Sequence, residues 1–86
     1  MPTYTILVID DDRLIRWSVS GVLGHAGYRV QEATTGKEGL AAVREHRPDL
    51  VLLDIALPDL DGFAVLEAIR QTHPDLPVLM MTADAT

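Results

Sequence analysis

The sequence contains no cysteine, which excludes a disulfide framework and a thiolate metal site. Basic residues are also few, with 7 Lys and Arg against 13 Asp and Glu, so the net charge is -6. Because nucleic acids are bound chiefly through clustered Lys and Arg, these scattered basic residues argue against a nucleic-acid surface. We therefore expect no direct nucleic-acid binding by this chain.

Long apolar runs are missing as well. No run approaches the roughly 20 residues that a membrane-spanning helix needs. Residues 1–4 lack the basic start and apolar stretch of a signal peptide. Together with the missing cysteine, these absences predict a cytoplasmic protein that does not enter a membrane. The 86 residues, 48% hydrophobic and 23% charged, are typical of one small globular domain of modest stability.

Short apolar runs alternate with longer segments whose apolar residues recur at helical spacing. The runs predict strands at 5–9, 50–53 and 77–81, and the more polar stretch 28–33 predicts a weaker strand. Three helices lie between them. The first ends at Gly24 and Gly27, the second runs from a Thr35 to Glu38 capping box to before Pro48, and the third runs from near Gly62 to Pro74.

The inward-facing helix positions follow from the same spacing. They are Ile15, Val19, Val22, Leu23 and Ala26 in the first helix, Leu40 and Val43 in the second, and Phe63, Leu66 and Ile69 in the third. Trp17 lies off this stripe, which predicts a partly exposed or interface residue. Strands that are apolar throughout and alternate with helices indicate parallel pairing with both faces covered. The predicted fold is therefore an α/β doubly wound parallel sheet.

Carboxylates stand at the ends of the predicted strands. Asp10 and Asp11 follow the first strand, Asp54 follows the run LVLL, and the hydroxyl of Thr82 follows the last strand. In doubly wound sheets, ligands bind outside the carboxyl ends of the strands. Converging carboxylates repel one another, so a hard divalent cation such as Mg²⁺ is the natural occupant. An aspartate beside such an ion can also act as a nucleophile on phosphorus.

Acidic residues at strand ends often serve only as helix caps or turn formers. Asp12 and Asp61, each just before a helix, are interpreted in this way. Asp10, Asp11 and Asp54 converge on one sheet edge, and this convergence favours a functional site.

The blocks ILVIDDD, LVLLDIALPDLDG and PVLMMTA resemble the three signature blocks of bacterial response regulator receiver domains, in order and spacing. The likeness extends over residues 1–86, which are expected to form one receiver domain with the flavodoxin-like, CheY-like fold. LIRW at 14–17 and DIALPDLDG look most similar to receivers of nitrogen-regulatory activators. The resemblance implies a phosphoacceptor that takes part in its own phosphotransfer rather than an ordinary enzyme.

Carried over by residue, the resemblance implies that Asp54 accepts the phosphoryl group and that Asp10 and Asp11 organise Mg²⁺. Asp54 and the backbone carbonyl of Ala56 complete the implied metal site. Thr82 matches the switch hydroxyl, and Ala83 matches the small residue that leaves room for the phosphoryl group. The implied partner is a sensor histidine kinase, and the implied output is a separate domain, expected to be transcriptional.

Two departures from the family pattern stand out. Leu57 replaces the usual Met before the proline, which is a conservative change. A complete receiver would continue through a fourth helix, a fifth strand bearing a phosphoryl-pairing lysine, and a fifth helix. Lys37, the only lysine, lies in the second helix segment and cannot take that role. We therefore expect the N-terminal portion of a receiver, whose 77–82 strand forms an exposed edge that favours self-association.

Other motifs fit the sequence less well. The stretch DLDG at 59–62 is superficially similar to the nucleophile loop of haloacid-dehalogenase phosphatases, but Pro58 separates it from the strand and Phe63 stands where Thr is expected. An EF-hand fails because Leu57 and Ala68 replace two acidic ligands. There is no P-loop and no dinucleotide fingerprint. The alternative function is a protein-interaction scaffold with a receiver-like fold and no productive switching.

Overall fold

The computed structural model describes residues 3–81, which form one sheet and three helices. In chain order the elements are β1 (Thr5–Ile9), α1 (Arg13–His25), β2 (Arg29–Ala33), α2 (Gly36–His46), β3 (Leu50–Asp54), α3 (Gly62–Thr72) and β4 (Val78–Met81). All strand pairs are parallel, in the order β2-β1-β3-β4. This confirms the predicted doubly wound sheet through its fourth strand. Within the described part of the chain, no helix is long and apolar enough to cross a membrane.

The main core lies between the sheet and helices α2 and α3. Its buried members are Leu7, Ile9, Ala33, Val43, Val51, Leu53, Val65 and Ile69. Side chains alternate between the faces of a strand, so Ile6 and Val8 of β1 point to the opposite face, where they are 4% and 0% exposed. Helix α1 packs on β1 and β2 and covers that face. The central strand is therefore buried on both sides, as its unbroken apolar sequence predicts.

The helix termini follow local capping chemistry. Asp12 caps α1 by accepting from the N–H groups of Leu14 and Ile15, and Asp61 caps α3 by accepting from that of Phe63. Helix α1 ends in a Schellman turn, in which Gly27 has φ +100 and the Tyr28 N–H reaches the Leu23 carbonyl over 3.1 Å. These caps confirm the predicted roles of Asp12 and Asp61 and the stop near Gly27.

The capping box of α2 differs in one contact from its prediction. The Thr35 hydroxyl accepts from the Glu38 N–H over 3.1 Å, as expected. The Glu38 carboxylate, however, accepts from the N–H and hydroxyl of Thr34, at 3.2 and 3.0 Å, rather than from the Thr35 N–H. The carboxylate thus fixes the chain one residue before the cap.

Three predicted core positions were wrong. Phe63 is 58% exposed, because it precedes the buried Val65 by two residues and so lies on nearly the opposite side of α3. Val22 of α1 is 70% exposed, and Ala26, the C-cap of that helix, is exposed too. The other predicted positions are buried or half-buried. Trp17 is 74% exposed, as its place off the apolar stripe predicts.

A carboxylate tethers the loop after β3 to the start of α2. The two oxygens of Asp59 accept from the N–H groups of Gly36 and Lys37, at 2.7 and 3.0 Å. Leu60 packs so closely that a Cβ on Gly36 would lie 3.0 Å from its side chain. The backbone hydrogen bond from Gly36 is the largest cause that holds the pKa of Asp59 below its ordinary value of 3.8. The charged carboxylate also suits the positive end of the helix dipole.

We expect Asp59→Asn to lower the unfolding midpoint at neutral pH, because it removes the charge and one of the two acceptor oxygens. A carboxyl group whose pKa is lower in the folded state stabilises the fold above its unfolded pKa. That contribution is lost as the pH falls from 3.8 through the lower pKa of the folded state. Urea unfolding above and below this window should show the difference between wild type and variant shrinking at the acidic end.

Asp75→Asn is the matched control, since Asp75 is exposed and its replacement changes the net charge equally. If the unfolding midpoints of wild type and Asp59→Asn are equal at neutral pH, the Asp59 tether does not stabilise the fold.

Candidate functional site

Parallel pairing of the two central strands brings two carboxylates side by side. Ile9 of β1 pairs with Leu53 of β3, so the next residues, Asp10 and Asp54, lie beside each other at the carboxyl ends of these strands. The apolar residues before them are buried, which leaves the strands little freedom to slip in register. The predicted convergence on this edge of the sheet is therefore present.

Asp11 joins this pair. Carboxylate oxygens of Asp10, Asp11 and Asp54 all lie within 4.8 Å of one another, and within residues 3–81 this is the one such group of acidic, His or Cys side chains. Asp10 and Asp54 are only 5% and 8% exposed, whereas Asp11 is exposed. We call these three residues the acidic cluster. The site therefore has a buried floor of two carboxyl groups and an open side at Asp11.

Local hydrogen bonds orient the two buried carboxyl groups. Oδ1 of Asp10 accepts from the Asp12 N–H over 2.9 Å, and Oδ1 of Asp54 accepts from the Ala56 N–H over 3.2 Å. The Asp10 N–H donates to the Ala33 carbonyl of the neighbouring strand over 3.0 Å. Each carboxyl group thus has one oxygen bound by the loop that follows it. Ala56 contacts Asp54 through its N–H, and the predicted metal-binding role of its carbonyl stays a prediction.

Burial raises the pKa of Asp10 above its ordinary value of 3.8, and the nearby Asp54 and Asp11 raise it further. The hydrogen bond from Asp12 opposes this by lowering it. Two full charges 4.8 Å apart repel by about 3 kcal/mol at an effective dielectric constant near 20. Three adjacent carboxylates are therefore destabilising unless a positive charge lies among them.

The donor set suits a hard divalent cation. Three carboxylates supply only oxygen ligands, which Mg²⁺ and Ca²⁺ prefer, and the cluster contains no His or Cys that would favour a softer metal. The exposed side at Asp11 leaves room for water or for an oxygen of an incoming group. The acidic cluster of this chain could therefore bind a metal ion.

Thr82 and Ala83 lie outside the described residues, so their predicted roles stay predictions. The chain up to that point is positioned next to the cluster. Met81, the last residue of β4, pairs with Asp54, and its carbonyl accepts from the Ile55 N–H over 3.1 Å.

Gly62 forms part of the support behind Asp54, a role that the sequence interpretation missed. A Cβ at this position would lie 2.6 Å from the Asp54 carbonyl oxygen and 2.7 Å from the Ile55 Cα. The Gly62 N–H also donates to the Ile55 carbonyl over 2.8 Å. Any larger residue would push the main chain of Asp54. The glycine directly after the Asp61 cap was the available signal, but its meaning depends on this close approach.

Arg16 was also missed. Its guanidinium donates from Nη1 to the Asp10 carbonyl over 2.8 Å and from Nε to the Glu32 carboxylate over 3.2 Å. The residues involved lie on α1, at the end of β1 and on β2. Nothing in the local sequence indicates this contact, because it forms only when the helix packs back on the sheet.

Comparison with known proteins agrees with this geometry. The family profile for the response regulator receiver domain matches residues 6–86. The probable transcriptional regulatory protein TcrX of Mycobacterium tuberculosis is 43% identical over 79 residues, which is 92% of this chain and 34% of that protein. The DNA-binding transcriptional regulator NtrC of Salmonella typhimurium is 45% identical over 78 residues, or 91% of this chain and 17% of that protein. Two regulators of different length thus have nearly the same sequence identity to this chain.

The fold comparison gives the same answer. A CheY-like receiver domain protein from Methanospirillum hungatei superposes with a TM-score of 0.93 at 36% identity, covering 99% of this chain and 68% of that one. The chain spans about a third of the length of curated relatives such as TcrX, which are named as regulators. The matched family, the shared fold and the acidic cluster at the strand ends lead to one conclusion: the chain belongs to the response regulator receiver domain family.

Proposed function

We propose that this receiver domain accepts a phosphoryl group on Asp54 from a phosphohistidine of a sensor histidine kinase, with Mg²⁺ held by the acidic cluster. The observation that carries the proposal is the place of Asp54, which is 8% exposed yet has carboxylate oxygens within 4.8 Å of Asp10 and Asp11. A structural aspartate would gain nothing from two such neighbours. A nucleophile that must share a cation with a phosphoryl group requires them.

In the proposed reaction, a carboxylate oxygen of Asp54 attacks the phosphorus atom. The new P–O bond forms as the P–N bond to the donor imidazole breaks, and the imidazole nitrogen keeps the electron pair and takes up a proton. The product is an acyl phosphate on Asp54 and an unmodified histidine on the kinase. Oδ1 of Asp54 already accepts from the Ala56 N–H, so that this bond orients the carboxylate for attack through its other oxygen.

The remaining residues have supporting roles. Asp10, Asp11 and Asp54 would hold Mg²⁺ together with the carbonyl of Ala56, and bound Mg²⁺ would offset negative charge on the phosphoryl oxygens. Thr82 would contact the phosphoryl group after transfer. The phosphorylated domain would then control an output domain, which we infer to be transcriptional because the relatives TcrX and NtrC are named as transcriptional regulators.

Mg²⁺ should raise the thermal stability of the protein by mass action, because the cluster exists only in the folded state. At about ten times the Kd the gain is about 1.4 kcal/mol, or roughly 5 to 10 °C in Tm for a domain of this size. Asp11→Asn should abolish this gain. Thermal unfolding followed by circular dichroism with and without MgCl₂ measures it.

Asp12→Asn is the matched control for this experiment. It removes the same charge one residue away but keeps the Oδ1 atom that caps α1, since Asn caps helices as well as Asp. This variant should retain the Mg²⁺ effect. A wild-type Tm that is indifferent to millimolar MgCl₂ would contradict the metal site.

Incubation with acetyl phosphate and Mg²⁺ should add one phosphoryl group to the chain. The product should be sensitive to hydroxylamine, as expected for an acyl phosphate, and intact-mass spectrometry measures its yield. Asp54→Asn should remove the label because an amide oxygen is a poor nucleophile. Asp61→Asn on the same loop keeps the oxygen that caps α3 and should remain labelled.

Two results would change the assignment. Labelling that survives in Asp54→Asn would move the nucleophile to another residue. A folded, Mg²⁺-binding chain that takes up no phosphate from acetyl phosphate or a histidine kinase would favour the interaction-scaffold function instead.

We also propose that the 86-residue chain self-associates through β4. Within residues 3–81, β4 pairs with β3 alone, so its other edge carries backbone N–H and C=O groups without a strand partner. Leu79 of this strand is 58% exposed, and no charge or proline interrupts Val78–Met81. Such an edge is a template for pairing with another strand. A second copy of the chain offers the same edge.

Leu79→Lys should weaken this assembly, because it adds a charge to an apolar edge without disturbing the core. Met80 is less suitable for the test because it packs against the core. Phe63→Lys is the matched control, since Phe63 is also 58% exposed but lies on α3. Sedimentation equilibrium at tens of micromolar should show a species heavier than 9.4 kDa for wild type and Phe63→Lys, shifted toward the monomer for Leu79→Lys. A folded wild-type monomer would refute the proposal.

A further inference from the structure

A charged side chain lies almost buried behind the acidic cluster. Arg16 belongs to the second turn of α1, and its side chain is only 14% exposed. Its partner Glu32, on β2, is 44% exposed, so the ion pair itself faces partly toward solvent. A surface ion pair of this kind contributes little to stability. The ion pair therefore does not account for the low exposure of the Arg16 side chain, and the contact of its guanidinium with the Asp10 carbonyl points to a further role.

The bond from Arg16 to Asp10 completes the hydrogen bonding of that residue. The Asp10 N–H donates to the Ala33 carbonyl, its Oδ1 accepts from the Asp12 N–H, and its carbonyl accepts from Nη1 of Arg16 over 2.8 Å. Asp10 is 5% exposed, so a carbonyl left without a partner would be costly. The peptide plane that this carbonyl belongs to links Asp10 to Asp11. Its orientation therefore sets the direction in which the chain leaves β1 and presents Asp11.

We propose that Arg16 is a positioning residue of the acidic cluster, which fixes the Asp10–Asp11 peptide so that both carboxylates face Asp54. Glu32 orients the guanidinium for this task by accepting from Nε over 3.2 Å. Helix α1 and strand β2 thereby become part of the support of the site, although neither contributes a residue to the acidic cluster. The inference rests on the proposed function, since it assigns a role in binding the same metal ion.

The sign of the effect separates positioning from simple charge. A cation near three carboxylates repels Mg²⁺, so that loss of Arg16 should tighten Mg²⁺ binding if charge were its only contribution. Loss of positioning has the opposite effect, because the carboxylates no longer converge. Removal of a group that orients metal ligands commonly weakens metal binding by about 10-fold or more.

The test is the Kd for MgCl₂, measured by NMR titration of backbone amides in the 86-residue protein. We expect Arg16→Gln to raise the Kd about 10-fold, consistent with loss of an orienting contact. Arg16→Lys should give an intermediate Kd. An ammonium group keeps the charge but cannot make the hydrogen bonds to both the Asp10 carbonyl and the Glu32 carboxylate in the geometry of a guanidinium. Arg13→Gln is the matched control, as it removes the same charge from an exposed position on the same helix.

A second control separates positioning from general loss of stability. Ile69→Val lowers stability in the core on α3, which contributes no residue to the cluster, and should leave the Kd for MgCl₂ unchanged. If Arg16→Gln does not fold, the charge-preserving Arg16→Lys carries the test by the same measurement.

The possible failures are distinguishable. A wild-type protein that binds no MgCl₂ would overturn the proposed metal site and the inference with it. Wild-type binding together with an unchanged or lower Kd in the folded Arg16 variants would overturn only the positioning role. A higher Kd in these variants, with the Kd of Arg13→Gln and Ile69→Val no higher than that of wild type, would establish it.

Discussion

The register between β1 and β3 is the constraint on which the site depends. Because Ile9 pairs with Leu53, the residues that follow, Asp10 and Asp54, lie beside each other at the carboxyl end of the sheet. A slip of one residue would turn every side chain of the strand to the other face, and the core on both faces of the sheet would have to repack. The burial of Leu7 and Leu53 at 0% exposure therefore holds the two carboxylates together. The apolar core stabilises an arrangement that the carboxylates alone would oppose.

The three carboxylates of the site lie close enough to repel one another. Burial and the neighbouring carboxylates raise the pKa of Asp10 above its ordinary value. The proximity of the three carboxylates favours a compensating positive charge. Contacts from neighbouring elements support the main chain around the cluster. Gly62 allows the start of α3 to approach the Asp54 main chain. Asp59, in the loop between β3 and α3, anchors that loop on α2. The guanidinium of Arg16, on α1, donates to the Asp10 carbonyl. The main chain of the cluster is thus contacted from α3 at Asp54 and from α1 at Asp10.

Much of this architecture could be predicted from local patterns. The apolar run at 5–9 matches β1 to the residue, and Asp12 and Asp61 act as the helix caps that their positions indicate. The errors concern which side of a helix faces inward. Phe63 was predicted in the core of α3 from its helical spacing to Leu66 and Ile69, but Val65 and Ile69 define the buried face. When apolar residues extend around more than half of a helix, hydrophobicity alone does not determine which face packs on the sheet.

The sequence by itself determined the alternation of strands and helices, the parallel sheet and the three aspartates at strand ends, since these depend on neighbouring residues and on side-chain period. Only the tertiary structure decided the contacts between elements distant in the chain. Arg16 and Glu32 are 16 residues apart, and Asp59 and Gly36 are 23 apart. Such contacts form only after the helices have packed on the sheet, because packing brings together groups that are far apart in the chain.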